Sequence, residues 1–97
     1  MRPSEALAKH RDEVLAIIAR YPVTNPRVFG SVARGEDVEG SDIDLLVDPV
    51  FEVTTFADLG ELSGKLEAIL GTGIDIATPG SLGTAVSRRI EPELVPL

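Results

Sequence analysis

The stretch Val28-Phe-Gly-Ser-Val-Ala-Arg-Gly-Glu-Asp-Val-Glu-Gly-Ser-Asp-Ile-Asp-Leu-Leu-Val-Asp48 decides the fold. It opens with a Gly-Ser pair at the end of a short apolar run and closes with Asp42 and Asp44 alternating with Ile43, Leu45 and Val47. In a strand, successive side chains point to opposite faces, so the two Asp project together while Ile43, Leu45 and Val47 turn toward a core. Asp is a poor strand former and is rarely buried without a partner. Two carboxylates side by side repel, and each resists ionising unless something cationic sits between them. A hard divalent ion held by carboxylates and substrate phosphates resolves that conflict. The stretch therefore reads as a nucleotide–metal site.

Working outward, Ser4 is placed to cap a helix in which Leu7, Val14, Ile17, Ile18 and Tyr21 recur at helical spacing through about Arg20. His10 reads as a solvated residue of that helix. Pro22 ends it, and Asn25-Pro26 marks a turn. Arg27–Phe29 is a short strand, Ser31–Arg34 a short helix stopped by Gly35, and Glu36–Ser41 a polar surface loop. Asp42–Val47 is the second strand, ended by Asp48-Pro49, with Asp48 a turn residue. Thr54 or Thr55 then caps a helix whose apolar face is Phe56, Leu59, Leu62, Leu66, Ile69 and Leu70, closed by Gly71 or Gly73. Gly60 and Gly64 inside it cost about 1 kcal/mol each relative to Ala, a spacing that would suit close packing. Ile74–Ala77 is a third strand carrying Asp75, and a last helix from about Leu82 to Ile90 leaves Leu94–Leu97 as a tail or edge strand. The order αβαβαβα predicts one α/β domain over residues 1–97, a small sheet covered by helices.

Composition narrows the chemistry. The chain of 97 residues is 43% hydrophobic and 26% charged, as expected of one globular domain. It has no Cys, which excludes disulfides, zinc–thiolate sites and thiol nucleophiles, and its single His excludes a multi-His metal cage. No apolar run is long enough to span a bilayer and Met1-Arg-Pro-Ser-Glu lacks an apolar signal region, so the expected location is the cytoplasm. A net charge of −7 argues against a nucleic acid as main substrate, since grip on a phosphate backbone needs a basic patch. A basic protein partner suits that balance better.

Two familiar loops fail on inspection. Gly30-x-x-x-x-Gly35 has the glycine spacing of a P-loop, but Glu36-Asp37 stands where Lys-Ser/Thr is required and would repel phosphates. Asp42-x-Asp44 is not a calcium loop, because Leu45, Leu46 and Val47 fall where oxygen ligands and a Gly are needed. What survives is Gly30-Ser31 at a strand-to-helix turn, where glycine lets backbone approach a ligand and Ser31 adds a hydroxyl. Asp75, flanked by Ile74 and Ile76, would face the same way as Asp42 and Asp44 if its strand neighbours theirs. Three such carboxylates suit two Mg²⁺ ions and an attacking hydroxyl. Arg34, one helical turn after Ser31, either reaches a phosphate or pairs with Glu36 or Asp37. Lys65, Arg88 and Arg89 read as surface charges, with a nucleotide or partner contact as the alternative.

Gly30-Ser31, ten residues, Asp42-Ile-Asp44 and a later strand Asp75 together resemble the DNA polymerase β-like nucleotidyltransferase superfamily. Gly30-Ser-Val-Ala-Arg-Gly35 with Gly40-Ser-Asp-Ile-Asp-Leu-Leu-Val47 resembles its minimal nucleotidyltransferases, over roughly Ser4 to Leu97. The resemblance implies that fold, with a small mixed sheet flanked by helices. It implies Gly30 and Ser31 on the triphosphate of ATP, Asp42 and Asp44 on Mg²⁺, and Asp75 completing the metal site and activating the acceptor hydroxyl. It also implies an antitoxin encoded beside a HEPN-domain ribonuclease toxin, with AMP transferred to a toxin Tyr. Larger relatives carry an acceptor-selecting domain; a protein partner would supply that part here, and the apolar tail Leu94–Leu97 suits pairing with itself or the partner. The rival expectations are a non-catalytic antitoxin that acts by binding, and transfer to a small molecule or an RNA end.

Overall fold

The computed structural model describes residues 1–97 and places the alternating stretch in strand β2 (Ile43–Pro49). The flanking strands are β1 (Val23–Phe29), β3 (Ile74–Ala77) and β4 (Val95–Pro96). They form one mixed sheet in the order β3-β2-β1-β4: β1 runs antiparallel to β2 and β4, and β2 runs parallel to β3. A parallel neighbour needs a crossover connection. Helix α4 (Phe56–Leu70) provides it, started by the Thr55 side chain accepting from the Asp58 N–H and stopped by Gly71 in the left-handed region.

One face of the sheet is closed by α4 together with α1 (Pro3–Lys9) and α2 (Arg11–Ile18). Ile43, Leu45 and Val47 from β2 meet Val14, Ile18, Leu62 and Leu66 in a single apolar core. Burying each such side chain contributes about 1.5–3 kcal/mol. Phe56, read from spacing as part of this face, is 92% exposed. It opens the helix, nearly two turns before the buried Leu62–Leu66–Leu70 row begins. Gly60 and Gly64 approach nothing, since a Cβ at either would meet open space. No helix is long and apolar enough to cross a membrane.

Four local readings are corrected. The first helix is two, bent at His10, whose backbone leaves the helical range although its N–H still bonds Ala6 O and its carbonyl still accepts from Val14. Asn25-Pro26 is a bulge within β1, not a turn before it: Asn25 takes φ +52, which Asn tolerates, and the register shifts between Thr24 and Arg27. Asp48 pins that bulge, accepting from Asn25 Nδ2 at 3.1 Å and Arg27 Nη2 at 3.0 Å. The last helix, α5, runs Pro79–Ile90 and begins at Thr78, with a break at Gly83. A short 3-10 turn (Glu91–Glu93) then leads into β4, so the C-terminal residues form an edge strand.

Asp37, read as part of an exposed loop, is only 2% exposed. Its Oδ2 accepts from the Ser4 N–H at 2.8 Å, so this distant carboxylate, and not Ser4, serves the start of α1. Burial pushes the Asp37 carboxyl up, but the hydrogen bonds from Ser4 and the charge of Arg2 outweigh it and hold the carboxyl below its usual range. A lowered carboxyl adds stability above its unfolded-state pKa and loses it as pH falls through the folded-state value. Asp37→Ala should therefore cost ~1–2 kcal/mol at neutral pH in urea unfolding. That deficit should shrink in acid; a pH-independent deficit would mean packing, not charge, is responsible.

Candidate active site

The site begins where β1 ends. Phe29 is paired with Asp44, and the chain then turns through Gly30, at φ +74, into the short helix α3 (Gly30–Arg34), which Gly35 stops. The turn is tight against β2: a Cβ on Gly30 would collide with the Asp44 carboxylate. Gly73, just ahead of β3, makes the same room for the carboxylate of Asp42. Two glycines thus form the walls against which two acidic side chains lie, and Gly73 was readable from sequence only as a helix stop.

Across the parallel pair, Asp44 stands directly opposite Asp75, with Ile43 opposite Ile74. Because Ile43 and Ile74 belong to the core, alternation puts Asp44 and Asp75 together on the other face, away from the core helices. Asp44 is half-buried, whereas Asp42 and Asp75 are exposed. Burial pushes the Asp44 carboxyl up, and the neighbouring charges of Asp75, Asp42 and Glu93 push it the same way, with Arg34 opposing. Asp42, Asp44 and Asp75 thus share one face of the sheet, and Asp44 is pressed there by like charges. As placed, the side chains do not close into a three-ligand cage. Three carboxylates on one face are nevertheless the hard-oxygen donor chemistry that a divalent cation such as Mg²⁺ fits.

A cleft of about 310 Å³ opens beside Asp44, walled by Gly30, Arg34, Arg89 and Glu93. Arg34 is 3.0 Å from Glu93 and 3.5 Å from Glu36; it does not pair with Asp37, which is turned inward. Glu93 also accepts from the Gly30 N–H at 2.9 Å. Those bonds hold its carboxyl below the usual range, the Gly30 N–H first and Arg34 next, with Arg89 adding to them. Glu93 does not stand out in the sequence as a site residue, since nothing local ties the C-terminal turn to residue 30, whereas Arg89, read first as a surface charge, lines the cleft. Lys65 lies over the Tyr21 ring at 5.6 Å and pairs with Glu61, apart from the cleft. Arg88 lies in a separate hollow with Thr84 and Glu91.

Comparison with known proteins agrees with this architecture. Residues 7–96 match the model of the nucleotidyltransferase domain family. The chain is 36% identical over 89 residues to the protein adenylyltransferase MntA of Thermococcus cleftensis, covering 92% of this chain and 86% of that protein. It is equally similar, 36% over 92 residues, to the Methanocaldococcus jannaschii protein MJ0126, assigned as a protein adenylyltransferase, covering 94% and 90%. A solved structure assigned as a minimal nucleotidyltransferase superposes with a TM-score of 0.85 at 39% identity, covering 97% of this chain and 95% of that one. The structure of a toxin–antitoxin with AMP-PNP shares the fold at a TM-score of 0.75 and 20% identity, covering 88% and 69%.

Proposed function

The chain belongs to the nucleotidyltransferase domain family, among its minimal members, and on that premise we propose that it transfers AMP from ATP to a protein hydroxyl, a Tyr of a HEPN-type ribonuclease toxin, and so acts as that toxin's antitoxin. The observation that carries this reading is the register of β2 on β3, which sets Asp44 opposite Asp75 beside the glycine turn at Gly30. The protein partner follows from the relatives named protein adenylyltransferases and from the shared fold of the toxin–antitoxin structure.

In this reading Gly30 and Ser31 hold the triphosphate, the first through a backbone N–H that points into the cleft. Arg34, on the same wall, faces the phosphates and offsets their charge. Asp42, Asp44 and Asp75 would hold Mg²⁺, which supplies charge neutralisation at the phosphates when bound. Asp75, the most open of the pair formed with Asp44, takes the proton as the acceptor oxygen bonds to the α-phosphorus and pyrophosphate departs. The half-buried Asp44 is held against the Gly30 turn and fixes where the phosphates can sit.

The test is to mix the protein with its toxin partner, ATP and Mg²⁺ and to read the partner's intact mass. One or more added AMP groups, lost in Asp42→Ala/Asp44→Ala, are the expected result. Full neutralisation of the toxin with no change of mass would replace the catalytic reading by simple binding.

A further inference from the structure

The donors assigned above to the triphosphate are already engaged by a side chain of the protein itself. Glu93 accepts from the Gly30 N–H at 2.9 Å through one carboxylate oxygen and from Arg34 Nη1 at 3.0 Å through the other. A backbone N–H and a guanidinium are the groups a phosphate would use, and an anion can use them only one at a time. Arg89 walls the same cleft and adds its positive charge at longer range, without a direct ion pair to Glu93.

We propose that Glu93 is an internal occupant of the phosphate cradle, a latch that ATP must displace before it can bind. The proposal rests on the nucleotide reading of the cleft given above.

The segment carrying Glu93 is short. It is a three-residue turn followed by a two-residue strand, tied to β1 through Arg27 and Val28 and by the Leu97 N–H to Pro26 O at 3.0 Å. Of the segment and its flank, Ile90 is fully buried and Leu97 packs against the core, so Glu93 leaves by swinging its side chain out while the strand stays in place. Its departure also removes one of the like charges pressing on Asp44. Latch closed, the carboxylates repel and the cradle is full; latch open, the cradle is empty and the acidic group carries one charge less. Apparent affinity for ATP is the intrinsic affinity reduced by the fraction of open molecules.

Binding of ATP in Mg²⁺ to the full chain, followed by titration calorimetry, tests this without any acceptor. Glu93→Ala should bind about tenfold more tightly than the wild type, which corresponds to ~1.4 kcal/mol. Glu93→Gln, which keeps an acceptor for the Gly30 N–H but loses the charge, should fall between them and decides the matter if the Ala variant does not fold. Glu91→Gln removes the same charge from the same turn and should leave affinity unchanged; an equal gain there would mean a general charge effect and would sink the latch. Unchanged binding in both Glu93 variants also overturns it, and weaker binding would make Glu93 a ligand of the metal instead. If neither the wild type nor any variant binds ATP, the nucleotide reading itself fails, and the latch falls with it.

Discussion

Asp44→Asn should abolish AMP transfer while making the folded protein more stable. Asp44 is half-buried between Phe29 and Asp75, with Asp42 and Glu93 also near, and all three of those charges oppose its ionisation. A carboxyl raised above its unfolded-state pKa contributes stability when protonated and loses that contribution as pH rises through the folded-state value. At neutral pH the ionised Asp44 is therefore a cost of folding, one that the proposed function would explain by a need for a carboxylate there. Asparagine keeps the shape and removes the charge. The melting temperature should rise by ~2–5 °C at pH 7, and this gain should fade in acid, where the wild-type carboxyl is neutral too. On the proposed function, transfer should fall by ~10³-fold or more, because Asn holds less well the cation that would offset the charge of the phosphates. A lower melting temperature for Asp44→Asn at neutral pH would show that Arg34 overcompensates the acidic neighbours, and the strain assigned to this site would be wrong.

The second large effect is at Gly30. An L-residue at φ +74 costs ~1–2 kcal/mol for conformation alone. Here the Cβ would also press on the Asp44 carboxylate, adding ~1–3 kcal/mol for overpacking or driving Asp44 from its place. Gly30→Ala should therefore lose ~2–5 kcal/mol in urea unfolding and ~10²-fold or more in transfer, because a misplaced reacting geometry is costly. Gly35 separates the two contributions. It has φ +71 but meets open space, so Gly35→Ala should show only the conformational cost and keep most of its activity. Equal behaviour of the two variants would mean that contact with Asp44 is unimportant.

Much of this arrangement was legible in the sequence, for a physical reason. The alternation Asp42-Ile-Asp-Leu-Leu-Val47 places the acidic and apolar sets on opposite faces whatever the neighbours are, and Ile74-Asp-Ile76 does the same in β3. The glycine turn at 30 and the stops at Gly35 and Gly71 follow from backbone conformations that glycine adopts readily. What escaped local reading is decided across long separations. Asp37 looks like a loop residue until α1 folds onto it, and Asn25-Pro26 looks like a turn until Asp48 and the strands on either side hold it as a bulge. Glu93 is the clearest case: only the edge pairing of β4 on β1 brings the C-terminal turn beside Gly30.

The parallel partner of β2 is reached only after α4 has crossed the sheet. Asp44 and Asp75 thus meet through a contact that closes a long stretch of chain, a kind that forms late because loop entropy is lost before the pairing rewards it. A nascent chain that has emerged only through β2, or one cut within α4, carries Gly30, Asp42 and Asp44 but holds no third carboxylate in register. Bringing the three carboxylates to one face is in this way tied to completion of the tertiary structure, and a chain halted before β3 holds only the first two.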